Sequence, residues 1–208
     1  MMKRFLPVAA LALLAVAPLV AQAPKGWMVR ADRSTSASDP DGAGTIKFMS
    51  MGSGFHAVNP QAAVYWNPAN TTSGNYTLKG TFTLLKPSGH TNYYGIVFGG
   101  SDLENAKQSY TYFLVAQDGP GLVKKRNGDT ATDNVLPKAA SDAVKKPGAD
   151  GKSTNELEVR VGADKIDYVV NGTVVGSSPK SGTKTDGTYG IRVNHLLEVH
   201  IDGLSAGK

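Results

Sequence analysis

Between Tyr76 and Leu85 the chain alternates strictly: Tyr76, Leu78, Gly80, Phe82 and Leu84 fall on one side, and Thr77, Lys79, Thr81 and Thr83 on the other. A period of two predicts a strand with one buried and one wet face. The pattern returns where Leu157, Val159 and Val161 alternate with Glu156, Glu158 and Arg160, whose charges read as a solvated face. Gly162 to Lys165 can turn the chain, Ile166 to Val170 runs back, and Asn171-Gly172 marks a two-residue type I′ turn into a third strand, Thr173 to Gly176. Further on, Tyr189, Ile191 and Val193 alternate with Gly190, Arg192 and Asn194, and Leu197, Val199 and Ile201 with Glu198, His200 and Asp202, which predicts a closing hairpin. No window of helical length keeps a period of 3.6.

Two segments depart from alternation. Tyr93 to Phe98 and Tyr110 to Ala116 are apolar on both faces, whereas an ordinary sandwich strand has one polar face. The polar loop Ser101 to Ser109 joins them, so they are expected to be neighbours whose outer faces are covered or form a binding surface. By volume, Tyr94, Ile96 and Phe98 suit the core and Tyr93, Gly95 and Val97 the outside. Lys124-Lys125-Arg126 before Asn127-Gly128 reads as a solvated edge at a hairpin, and Pro137 to Ser153 as a long mobile loop. Short strands between Gly, Asn, Asp and Pro clusters predict an all-β fold, a two-sheet antiparallel jelly-roll sandwich.

The N-terminus changes the picture of where the chain works. Lys3 and Arg4 precede an apolar run from Phe5 to about Val20 and then Ala21-Gln22-Ala23. This is the pattern of a cleaved signal peptide over residues 1–23, with a cut after Ala23 or Ala21. The run is too short and Ala-rich for a membrane span, so the expectation is a periplasmic or secreted protein without stable membrane insertion. Removing 23 of 208 residues leaves 185, enough for one domain over residues 24–208. The remainder holds 20 basic and 17 acidic side chains, a balance too mild to suggest nucleic acid. With no cysteine, neither disulfides nor thiolate metal sites contribute.

The segments Asn75 to Phe82, Tyr94 to Gly100, Tyr110 to Val115 with Gln117-Asp118-Gly119, Val169 to Thr173, Gly190 to His195 and Val199 to Gly203 follow in a familiar order. In this the chain resembles the 3-keto-disaccharide hydrolase-like domains of bacteria, in the concanavalin A-like lectin and glucanase superfamily, over roughly residues 27–206. The resemblance implies a jelly roll whose concave face takes a saccharide or glycoside. Hydrolases of that family usually carry an arginine after the apolar strand; here the strand ends Phe98-Gly99-Gly100-Ser101.

Candidate chemistry divides between two places. Aromatic rings bind sugars by lying on their C–H faces, which singles out Tyr93, Tyr110, Tyr112 and Trp66, with Asn194 as a polar neighbour and Tyr65 beside them. Asp102 and Glu104 stand at the rim of the same expected groove and supply the two acids glycoside hydrolysis needs. Arg192, Glu198 and His200, with Asp202, form the densest polar group and the competing location for acid–base work. His195 falls in phase with the buried set. No cofactor motif is present; Asp39-Pro40-Asp41-Gly42 offers oxygens that suit a structural calcium as well as a turn. The expected function is recognition, or hydrolysis, of a small saccharide; the alternative is a non-catalytic carbohydrate-binding or structural module of the envelope.

Overall fold

The computed structural model describes residues 23–129 and 131–208, so the expected signal segment lies almost wholly outside the described residues. Fourteen strands follow one another: β1 (Met28–Asp32), β2 (Lys47–Met51), β3 (Gly54–Asn59), β4 (Ala62–Thr72), β5 (Tyr76–Lys86), β6 (Tyr93–Ser101), β7 (Ser109–Ala116), β8 (Pro120–Asn127), β9 (Ala131–Ala140), β10 (Ser153–Val161), β11 (Lys165–Val170), β12 (Thr173–Pro179), β13 (Gly187–Val193) and β14 (Leu197–Gly207). They build two seven-stranded antiparallel sheets. The front sheet runs β1-β4-β13-β6-β7-β8-β9 and the back sheet β12-β11-β10-β5-β14-β3-β2. This is the expected all-β, two-sheet jelly roll.

Alternation sets the core. Tyr94, Ile96 and Phe98 of β6 and Ile191 and Val193 of β13 point inward from the front, against Leu78, Phe82 and Leu84 of β5 and Leu157 and Val159 of β10 from the back. Three aromatic pairs join the sheets along the length of the sandwich: Phe48 with Tyr65 at 4.5 Å, Phe82 with Tyr94 at 6.0 Å, and Phe113 with Tyr168 at 5.3 Å. Each phenol buried between the two sheets has a partner, as burial demands. Tyr65 donates to Asn59 Oδ1 (2.6 Å), Tyr76 to the Thr185 carbonyl (2.6 Å), and Tyr94 accepts from Asn155 Nδ2 (3.2 Å).

The meander predicted over residues 156–176 is β10, β11 and β12, and Asn171 and Gly172 both have positive φ, 49° and 81°. Three expectations need correction. β13 and β14 do not form a hairpin: β13 lies between β4 and β6, and β14 between β3 and β5, so the link through Asn194, His195 and Leu196 crosses from sheet to sheet. Two alternating strands look the same whether they pair or face each other across a core. The segment from Pro137 is not a long free loop either. β9 extends to Ala140, Val144 is buried, and the loop is pinned where Asn171 Nδ2 donates to the Ala143 carbonyl (2.7 Å) and Asn155 bonds both ends of Lys145. Finally, β8, with Lys124 to Arg126, is an interior strand; β9 covers its edge.

Two outcomes are expected. Gly172→Val places a β-branched residue at left-handed φ and should cost about 1–2 kcal/mol in urea unfolding; a neutral result would contradict the turn. Burial lifts Tyr76 and Tyr168 from 10.0 to about 12. A phenol raised by folding contributes stability that is intact below its unfolded value and lost as pH climbs through the folded one. Unfolding free energy should therefore hold to about pH 10 and fall between 10 and 12, in step with tyrosinate absorbance.

Candidate functional site

The outer face of the front sheet is built from the residues that alternate with the core set. Its ladders place Arg30, Val64, Arg192, Gly95, Leu114 and Leu122 in one cross-strand row, and Met28, Trp66, Gly190, Val97, Tyr112 and Lys124 in the next. At Gly95 and Gly190 an added Cβ would meet the backbone oxygens of Phe113 (2.3 Å) and Tyr65 (2.1 Å), so the strands approach here more closely than a side chain allows. In a flat sheet β1 and β8, five strand spacings apart, would be about 24 Å from each other. Yet Asp32 Oδ1, on β1, lies 3.1 Å from an Arg126 nitrogen on β8. The front sheet therefore curls, and this face is concave.

Asp32 is the hub of the closure. Its other oxygen holds Arg192 at 2.7 Å, and Arg192 in turn donates to the Tyr110 hydroxyl (3.1 Å) and stacks 5.6 Å from the Tyr112 ring. A second bridge joins Arg30 to Asp129, which also accepts from Gln108 Nε2 (2.9 Å). Burial alone would lower the Arg192 pKa, but Tyr110, Asp32 and Tyr112 outweigh it and hold the guanidinium charged above its ordinary range. Desolvation by burial lifts the Tyr112 phenol against the pull of Arg192.

Beneath these bridges the aromatic floor is closed. Trp66 is 3% exposed, Tyr110 2% and Tyr112 7%, and they form a second apolar cluster with Val64, Val97, Leu103 and Leu114. The open platform expected at Tyr110 and Tyr112 is corrected accordingly: the two rings meet each other (5.7 Å) and the Arg192 guanidinium rather than solvent, while Trp66 keeps only a sliver of surface, where it lines the rim. Tyr93 is half-buried against the same cluster with Lys138 above its ring (5.9 Å), and the Asn194 side-chain oxygen is buried without a hydrogen-bond partner among the described residues.

What stays open is the rim. Met28, Trp66, Pro68, Leu103 and Thr188 wall a pocket of about 360 Å³ with Asp102 and Glu104. Leu103, buried in the second cluster, anchors the loop, and the residues on either side of it are turned out. Asp102 adopts left-handed φ, 53°, and its carbonyl accepts the Asn105 amide (3.1 Å), a tight turn that presents both carboxylates.

The other expected group is divided. Arg192 belongs to the front sheet, whereas Glu198 and His200 lie on the outer face of the back sheet. There Glu198 pairs with His56 (3.0 Å) and His200 with Asp202 (2.8 Å). Glu198 also lines an open cleft of about 610 Å³ with Lys47, Lys86, Asn59 and Leu196, which contains no aromatic ring. Glu158 bonds Arg160 (2.8 Å), the solvated pair expected. Asp32 and Arg30 gave no sequence signal, since β1 is too short to show alternation.

No protein-family model matches this chain, and no curated protein matches its sequence. Solved structures do share its architecture. The carbohydrate binding module CBM66 from Bacillus subtilis is 10% identical and superposes with a TM-score of 0.60 over 88% of this chain and 96% of its own. A proposed glycosyl hydrolase from Parabacteroides distasonis is 16% identical, with a TM-score of 0.54 over 77% and 89%. Sheep galectin-11, in complex with glycerol, is 14% identical, with a TM-score of 0.50 over 76% and 100%. At these identities the likeness is one of fold, a galectin-like jelly roll.

Asp32→Ala should leave Arg192 buried without its anion and cost about 3 kcal/mol in urea unfolding. A loss below 1 kcal/mol would mean that the network does not hold the curl.

Proposed function

We propose that this protein is an exported saccharide-binding jelly roll whose binding site is the rim pocket over Trp66. The observation that carries the reading is the make-up of that pocket: the exposed Met28 and Pro68 form an apolar wall backed by the Trp66 indole, and the exposed Asp102 and Glu104 line it with them. A sugar ring has the complementary surface, apolar C–H faces edged by hydroxyl donors. The cleft beside Glu198 lacks the aromatic half of that chemistry. A carbohydrate binding module and a galectin among the structures that share the fold support the reading. The N-terminal pattern at residues 1–23 supports export to the periplasm or the medium.

The finer reading is hydrolysis of a small glycoside, including the 3-keto sugars suggested by the family resemblance. It is favoured by the presence of two carboxylates in one pocket, one to protonate the leaving oxygen and one to act on the opposite face. Without turnover the same two groups serve as hydroxyl acceptors in a binding module.

A glycan array should identify a ligand, and calorimetry should then compare the native protein with an Asp102→Asn, Glu104→Gln double variant. Asparagine tolerates left-handed φ, so the melt should be unchanged. Losing two charge-assisted hydrogen bonds should weaken Kd at least tenfold. An unaltered Kd would move the site out of this pocket, and an array with no ligand would overturn the reading. Turnover of 3-keto-glycosides that disappears in the double variant would establish hydrolysis.

A further inference from the structure

Away from the rim pocket, at the other end of β13, three loops bring imidazoles and carboxylates together. Asp39 comes from the link between β1 and β2, His90 from the link between β5 and β6, and His195 from the sheet-to-sheet crossing. His90 Nε2 lies 2.9 Å from Asp39 Oδ1, His195 Nε2 lies 3.1 Å from the same oxygen, and the two imidazole nitrogens are 3.2 Å apart.

Protons alone do not satisfy this triangle. A ring nitrogen carries either one hydrogen or one lone pair, but His90 Nε2 faces Asp39, His195 and the Asn92 side-chain amide (3.1 Å) at once. With both rings donating to Asp39, the two N–H groups collide; with one ring accepting, its lone pair opposes the carboxylate. A cation at the centre resolves the three contacts among Asp39, His90 and His195. Atoms separated in this way share a point roughly 1.8 Å from each, so an ion standing about 1 Å off their plane sits at ~2.0–2.1 Å from all of them. Neighbouring ligands at that radius are roughly 2.9 Å apart in an octahedron and about 3.4 Å in a tetrahedron, which brackets the observed spacings.

A separate feature points the same way. Metal-bound imidazoles commonly direct their second nitrogen to a carboxylate that fixes the ring. His195, 5% exposed, has Nδ1 3.2 Å from Asp41 Oδ1, and Asp41 is itself held by the Ser34 amide (3.0 Å). The Asp39 and His90 side chains remain 51% and 45% exposed, so the side facing solvent is free for water.

We infer that Asp39, His90 and His195 form a binding site for a divalent transition ion of the zinc class, oriented by Asp41. Two imidazole nitrogens favour such an ion over calcium, which takes six to eight oxygens. The ion ties the Arg33–Ile46 loop to both sheets, a cross-link that a chain without cysteine obtains by no disulfide.

The test is equilibrium dialysis of the EDTA-stripped protein against micromolar Zn2+, read by metal analysis and thermal melting. One zinc per chain is expected, with a melt raised by roughly 5–10 °C at zinc a hundredfold above Kd. His90→Ala and Asp39→Asn, both at half-exposed positions, should melt like the stripped native protein and lose the zinc-dependent rise. His200→Ala, on the back sheet, should keep it, and millimolar Ca2+ should not displace the ion. Failure of the native protein to take up zinc would overturn the assignment. So would uptake that survives in both His90→Ala and Asp39→Asn, or that His200→Ala removes.

Discussion

A guanidinium largely withdrawn from bulk water governs this molecule. Arg192 sits in the middle of a sheet face beside Val64, Leu114, Tyr110 and Tyr112, where an unpaired charge would cost several kcal/mol. Asp32 supplies the counter-charge from the far edge and reaches Arg126 as well, which brings β1 towards β8 and bends the front sheet. The bend presses the aromatic rings against one another and under the bridges. Where the floor runs out, at Met28, Pro68 and the Asp102–Glu104 turn, apolar surface meets solvent beside carboxylates. The position of the candidate saccharide site follows from the desolvation of one charge.

The face that an individual residue occupies was legible from period two, with side-chain volume deciding where both faces are apolar. Tyr94, Ile96 and Phe98 fill the core and Tyr93, Gly95 and Val97 lie outside, as volume and alternation indicate. The Asn171-Gly172 turn was legible because its dihedrals admit few residues. Sheet membership was not: Val193 and Val199 alternate in the same way on facing sheets, so Arg192 and His200 seemed to share a surface they do not share. Nor could local pattern show that two-sided apolarity would end in a closed cluster, because closure depends on Asp32, some thirty residues before the nearest strand it covers. Asp39 and Asp41 read as a turn with oxygens to offer, since the imidazoles that face them lie about fifty and 155 residues further along.

The two ends of β13 have separate chemistry. At the Thr188 end an exposed turn offers carboxylates beside an indole. At the His195 end the crossing between sheets gathers imidazoles and aspartates from three loops. Between them lies the packed aromatic core.

The strand order also bears on when the molecule can acquire its shape. β13 and β14, residues 187–207, are interior strands, one in each sheet, and β2 and β3 join the back sheet only through β14. Every earlier strand pairing leaves both layers interrupted until this last stretch arrives, and the contacts it makes reach far back along the chain. Such a topology folds slowly and late. A polypeptide of this design closes neither of its two layers until roughly its last twenty residues have been made.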